Sequence, residues 1–150
     1  MEKLRIEQKG LYEIEVNDKG ETIVFDTLDL DLPFKFNDAF IQANKALEDF
    51  KTKYDKIRHK KSKEYGVITT NDEEIRKLKD ETFKKLRNAL DCFLGEGGCQ
   101  KIFGDRNYPS MINDLLEALQ PHLEKLDLSY ESTSERIKEK YGNDDGEVMK

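Results

Sequence analysis

The chain is poor in the residues that build specialised chemistry: 150 residues include no tryptophan, two cysteines, two histidines and three prolines. Two cysteines, Cys92 and Cys99, are too few for a disulfide scaffold, and their number fits a reducing compartment. His59 and His122 lie far apart, and there is neither an H-x-x-x-H nor a C-x-x-C pair, so local motifs assemble no four-ligand zinc site. A cysteine nucleophile needs a base held by a third group, and neither histidine sits in such a motif. Both cysteines are therefore expected to be small buried hydrophobes. Long apolar runs are missing too. Nothing approaches the roughly 20 residues of a transmembrane helix, and the apolar centre of a signal peptide is absent. A disulfide framework, a local zinc motif and a membrane helix are thereby excluded.

Charge is what the chain has in abundance. Charged residues make up 39% and hydrophobic ones 36%, with a formal net charge of −6. Such a balance gives a soluble chain with a modest apolar stripe on each element and disfavours non-specific contact with nucleic acid. The length is that of one ordinary domain, able to bury a core without metals or disulfides.

Periodicity divides the chain in two. In "LYEIEV", Tyr12, Ile14 and Val16 alternate with Glu13 and Glu15, as on a half-buried strand. "NDKG" follows as a tight hairpin turn, and "ETIVFD" is the return strand. "LDLDLPFKF" sets Leu28, Leu30 and Leu32 against Asp29 and Asp31, which predicts a further strand, ending or at an edge because Pro33 cannot donate to a ladder. Leu4 and Ile6 suggest a short strand before Gly10. Residues 1–36 carry five basic and nine acidic side chains, consistent with a wet, acidic sheet face. At Asn37, an N-cap residue, the period changes to helical. Phe40, Ala43, Leu47, Phe50, Tyr54 and Ile57 form a seam spaced 3 and 4 apart on a long helix that Gly66 is expected to stop. A second helix starts near Asn71 or Asp72 and carries Ile75, Leu78, Phe83, Leu86, Leu90 and Phe93, with Gly95 just past its end. The two are expected to form an antiparallel hairpin. "CQKIF" predicts a short helical turn ending at Gly104. A leucine-rich helix starts at Pro109 or Ser110, and Pro121 should kink or divide it. Residues 129–150 read as a polar tail with at most a frayed helix around Ile137 and Tyr141, the last nine residues disordered. The expected fold is α+β: a small N-terminal antiparallel sheet (1–36), then a mainly helical bundle with a long helical hairpin (37–128), in one domain of residues 1–128.

Few segments invite a chemical reading. "FLGEGGCQKIFG", Phe93 to Gly104, has four glycines and one lysine. It is no phosphate-binding P-loop, because no glycine is followed by lysine and serine or threonine. Gly95 and Gly97 begin a dinucleotide fingerprint that Gln100 breaks, and the preceding element reads as a helix rather than a strand. The glycines are therefore expected to cap one helix and reverse the chain. Asp29 and Asp31 resemble paired carboxylates for metal or acid–base work, yet strand alternation accounts for both as the solvent side. "NDDGE" near the end lacks the length and final glutamate of a calcium loop. "KTKYDKIRHKKSK", Lys51 to Lys63, holds seven basic residues and one acid. A phosphate backbone would suit it, but cations also favour a helix C-terminus and the net field opposes nucleic acid. No catalytic, cofactor or metal residues are expected. The distal part of the first helix should outrun the sheet, leaving Phe50, Tyr54, Ile57 and Arg58 as a partner-binding surface.

Across residues 10–128, "ETIVFDTLDLDLPFKFNDAF", the helical hairpin and "FLGEGGCQKIFGDRNYP" before a leucine-rich helix together resemble small tail-morphogenesis proteins of Gram-positive siphophages and prophages, the tail assembly chaperones. Phe93 to Asp105 is the most specific part of the likeness. The resemblance implies a non-enzymatic cytoplasmic protein of the bacterial host. Such a protein keeps tape-measure segments soluble, helps recruit tail-tube subunits and can form homo-oligomers. It implies no catalytic residues. A structural tail or adaptor subunit retained in the virion is the alternative, and a nucleic-acid-binding regulator using Lys51 to Lys63 a second.

Overall fold

Residues 1–63 and 70–128 are described in a computed structural model of the chain, without the side chains of 59–63, 70 and 71. The elements run β1 (Leu11–Glu15), β2 (Thr22–Asp26), α1 (Leu32–Lys63), α2 (Thr70–Leu94), α3 (Gly98–Phe103) and α4 (Met111–Leu126). The fold is α+β, a two-stranded antiparallel sheet followed by helices.

The strands behave as their alternation demands. Leu11 pairs with Asp26, Glu13 with Val24 and Glu15 with Thr22. Ile23 and Phe25 are buried, Tyr12 and Ile14 half-buried, and Glu13 and Glu15 exposed. Asn17 organises the hairpin turn: its Oδ1 accepts the Lys19 and Glu21 amides at 3.0 and 3.2 Å, and its Nδ2 donates to the Lys101 carbonyl at 3.0 Å. Lys101 in turn donates through Nζ to the Thr22 carbonyl at 3.0 Å, so α3 is bonded to the end of the sheet.

Three expectations near the N-terminus are corrected. Residues 1–9 carry no strand, and Leu4 and Ile6 are exposed. The alternation from Leu28 to Leu32 is not a strand either. Asp26 Oδ1 accepts the Leu28 amide at 3.0 Å and Asp29 Oδ1 accepts the Asp31 amide at 2.9 Å, so two successive aspartates fold the backbone into turns. The helix follows at once, which places Asn37 in its interior rather than at its cap. Pro33 lies in the first turn, where its missing N–H costs nothing. The period that matters is Leu32, Phe36, Phe40, one helical face read at steps of four.

α1 and α2 form the predicted hairpin: Gln42, Lys45, Ala46 and Asp49 line one hollow with Lys85, Asn88 and Ala89, so the chains run antiparallel. The core joins them to the sheet and to α4 through Ile23, Phe25, Phe40, Ala43, Leu86, Leu90, Phe93, Met111, Leu115 and Leu119. Phe93 is the joint. Its ring centroid lies 4.8 Å from Phe25 of β2 and 5.1 and 6.4 Å from Phe36 and Phe40 of α1. Edge-on and tilted rings at these distances contribute beyond the area they bury. α4 packs its Ile112, Leu115, Leu119 and Leu126 inward, and Tyr12 shares a 2.7 Å hydrogen bond with His122 Nδ1. Between sheet and α4 a hollow of about 190 Å³ remains, lined by Ile14, Val16, Ile23, Leu115, Leu119 and His122 among others.

α4 runs through Pro121 as one helix, so the proline does not divide it. Pro121 removes the partner of the Glu117 carbonyl, but both residues are exposed, so water takes the place of the lost bond. The stop at Gly66 and the tail beyond Leu128 lie outside the described residues.

Truncation of Phe93 to alanine should remove contacts to three aromatic rings on two other elements at once. Chemical denaturation of Phe93→Ala is expected to show a loss of about 3–5 kcal/mol.

Candidate functional site

The glycine-rich stretch is a structural knot. Gly97 sits at φ 73°, the left-handed region that glycine enters without strain. Gly98 is fully enclosed, since a Cβ there would lie 2.5 Å from the Leu94 Cβ. Asp91 Oδ1 accepts the Cys99 amide at 2.8 Å, which starts α3. Arg87 then closes the loop behind it. Nη2 donates to the Gly104 and Arg106 carbonyls at 2.8 and 2.7 Å, Nε to Asn107 Oδ1 at 2.7 Å and Nη1 to Gln100 Oε1 at 3.4 Å. A guanidinium fork suits this work because its donors lie in one plane and need no proton exchange. A broad hollow of about 550 Å³ lies between the hairpin turn and α3, lined by Asn17, Lys101 and Gln100 among others. These three polar side chains are already bonded to the Lys101 carbonyl, the Thr22 carbonyl and Asp105.

The cysteines differ from one another. Cys99 is buried as expected, and burial, then the nearby Asp91 carboxylate, push its thiol up to about 12. It carries almost no thiolate near neutral pH and is a poor nucleophile. Cys92 is exposed, which corrects the expectation for that residue. It falls on the outer side of α2, between the buried positions Leu90 and Phe93.

Asp29 and Asp31 are not the wet side of a strand. Asp29 Oδ2 accepts a 2.9 Å bond from Lys35 Nζ, and the Asp31 carbonyl accepts the Lys35 amide at 2.8 Å. The bond from Lys35 holds the Asp29 carboxyl below the usual range, and the same bond holds Lys35 above its own. The Asp29 carboxylate, with the Asp31 backbone, holds the start of a helix. Among the described residues no group of three or more His, Cys, Asp or Glu is arranged to hold a metal.

What remains is the far half of the helical hairpin. On α1 the last core residue is Ala43, and on α2 the first buried residue is Thr82. Ala46 and Leu47 still pack against the core, and the 16 residues from 48 to 63 extend about 24 Å past it at 1.5 Å per residue. Along this arm Phe50, Tyr54 and Ile57 of α1, and Ile75 and Leu78 of α2, are only half-buried. Continuing the register of the hollow at Ala46 and Ala89 sets Phe50, Tyr54 and Ile57 across from roughly residues 78–85. Phe50, Tyr54, Ile57, Ile75 and Leu78 do not belong to the core cluster or pack against it. Phe50 and Tyr54 stack with centroids 5.8 Å apart at 24°. Arg58 is exposed at the margin of the seam. The structure thus brings together Phe50, Tyr54 and Ile57, the sequence-derived candidates, on one stripe, and adds Ile75 and Leu78 from the facing helix. Lys51, Lys53 and Lys56 flank the stripe and are exposed.

Known proteins add nothing to this picture: no family model, no curated protein and no solved structure matches the chain. Among the described residues no helix is long and apolar enough to cross a membrane.

Sequence reasoning missed Arg87 and Asp91. Their spacing on α2 looks like any solvated face, and the bonds they make reach 8 to 20 residues onward.

Two outcomes follow. In the native protein a maleimide should modify Cys92 and spare Cys99 until denaturant is added, as read by mass spectrometry. The Asp29 pair should support the fold above about pH 4, the unfolded aspartate range, and lose that support as pH falls through the lowered native value. Asp29→Asn is then expected to cost about 0.2–1 kcal/mol at neutral pH and nothing well below pH 3, by denaturation at the two pH values.

Proposed function

We propose that this protein is a non-enzymatic phage tail assembly factor, a chaperone that binds the tape-measure protein or tail-tube subunits through the arm of its helical hairpin. The observation that carries the reading is the half-buried stripe of Phe50, Tyr54 and Ile57 on the part of the hairpin that runs beyond the core. Two helices alone cannot cover an amphipathic seam, whereas a third or fourth helix laid along it can. A tape-measure protein is a long, largely helical client whose apolar faces need cover before assembly. The resemblance of residues 10–128 to tail-morphogenesis proteins supports the same class. The high charge keeps the complex soluble, and Lys51, Lys53, Lys56 and Arg58 at the seam's margin favour a client helix with acidic flanks. A chaperone leaves as the tail forms. A structural adaptor stays.

Co-expression with a tape-measure fragment is expected to raise the soluble yield of that fragment and to allow co-purification. The triple variant Phe50→Ser, Tyr54→Ser, Ile57→Ser should melt cooperatively yet lose both effects. An unchanged yield with the wild-type protein removes the reading. Mass spectrometry of finished particles decides between chaperone, expected to be absent, and adaptor, expected to be present.

A further inference from the structure

The two-stranded sheet has an unused edge. Tyr12 and Ile14 lie at ladder positions that face β2, like Gly10, whose carbonyl accepts the Thr27 amide at 2.8 Å, and Val16, whose amide donates to the Glu21 carbonyl at 2.9 Å. The amides and carbonyls of Leu11, Glu13 and Glu15 therefore point the other way. Among the described residues none of the three makes a further backbone bond. β2 is different on its outer side, where Lys101 caps the Thr22 carbonyl and the Asp29 amide donates to the Asp26 carbonyl. Only β1 offers a continuous open edge, and natural proteins rarely leave one without a partner or a charge guard.

The guard here is acidic. Glu13 and Glu15 stand exposed on the outer face, and neither makes an ion pair among the described residues. Two β1 edges meeting antiparallel would set these glutamates against each other, which opposes that pairing. The other face of the same edge carries Tyr12 and Ile14: Ile14 lines the hollow of about 190 Å³ that α4 leaves open, and Tyr12 bonds to His122 in its wall. A strand added to β1 must therefore carry cations on one side and apolar side chains on the other.

The chain contains one such strand, and it is unused. Lys3, Leu4, Arg5 and Ile6 alternate cation and hydrophobe before Glu7, and Leu4 and Ile6 are 90% and 81% exposed. In the single chain the segment stands off its own edge. We propose that residues 3–7 of a second copy pair antiparallel with β1, so that two copies exchange N-terminal strands. The register puts Lys3 opposite Glu15, Arg5 opposite Glu13 and Glu7 opposite Leu11. Leu4 and Ile6 then fall on the α4 side, next to Ile14 and Tyr12, where the hollow receives them. Exchange of an identical element is a low-cost route to a dimer. The surface is separate from the hairpin arm, so it stands whether or not the arm binds a tail protein.

Sedimentation equilibrium of the full chain tests the exchange, with a dimer expected in the micromolar range. The variant Lys3→Glu, Arg5→Glu should weaken the dimer about tenfold or more, because two cross-strand pairs change sign in each of two sheets. Adding Glu13→Lys and Glu15→Lys should restore it, a recovery that loss of folding could not produce. In a mixture of isotope-labelled and unlabelled protein, intermolecular NOEs should join Leu4 and Ile6 to Tyr12 and Ile14. A chain that stays monomeric at high concentration, a variant that dimerises as the wild type does, or NOEs confined to one copy would each overturn the proposal.

Discussion

The sheet and the helical hairpin are joined at Phe93. The ring stands at the end of α2 and touches β2 and α1 together, within 4.8 to 6.4 Å of three other phenylalanines. Two strands cannot hold themselves together in water, and a helical hairpin has no preferred tilt against a sheet. One aromatic contact shared by three elements supplies both needs. Around it, Leu86, Leu90, Met111 and Leu126 are sealed from water and complete the core.

From that centre the molecule loses cover in one direction only. The strands, α3 and α4 surround the near half of the hairpin. Its far half has helix against helix and nothing else among the described residues. The near half is tied by polar bonds that bridge long stretches of chain: Tyr12 to His122, Asn17 to Lys101, Arg87 to Gly104 and Arg106. A body so closely cross-linked at one end, with a greasy arm at the other, is suited to holding a partner without rearranging itself. The proposed function uses that asymmetry, and the proposed strand exchange uses the other face of the body.

Much of this was legible in the sequence, and the failures have physical causes. The hairpin strands, the long helical seam and the leucine-rich helix were readable because each keeps one period over its length. The stretch from Leu28 to Leu32 misled because alternation in five residues suits a strand and also suits aspartates that turn the chain twice. What separates the two is the bond from Asp29 to Asp31, a side-chain choice with no signature in hydropathy. Pro121 does not divide its helix, because the cost of a missing amide depends on whether water can reach the orphaned carbonyl, which spacing does not reveal. At the candidate site, Phe50, Tyr54 and Ile57 were readable from their steps of four and three. Ile75 and Leu78 were readable as apolar positions but not as half-covered ones, since that depends on where the core ends. Arg87 left no trace at all. Its partners are two backbone carbonyls and two side-chain amides 13 to 20 residues onward, which no local spacing announces.

The arm's length has a mechanical side. Two helices clasped along their length are stiff, so a tug at the tip is felt as rotation about the aromatic joint rather than as bending on the way. With a lever of about 24 Å, a displacement of about 3 Å at the tip arrives as a turn of about 7°. Interlocked rings resist even that much, so a client seated near the tip would meet a firm handle, and its load would be borne by the densest part of the protein.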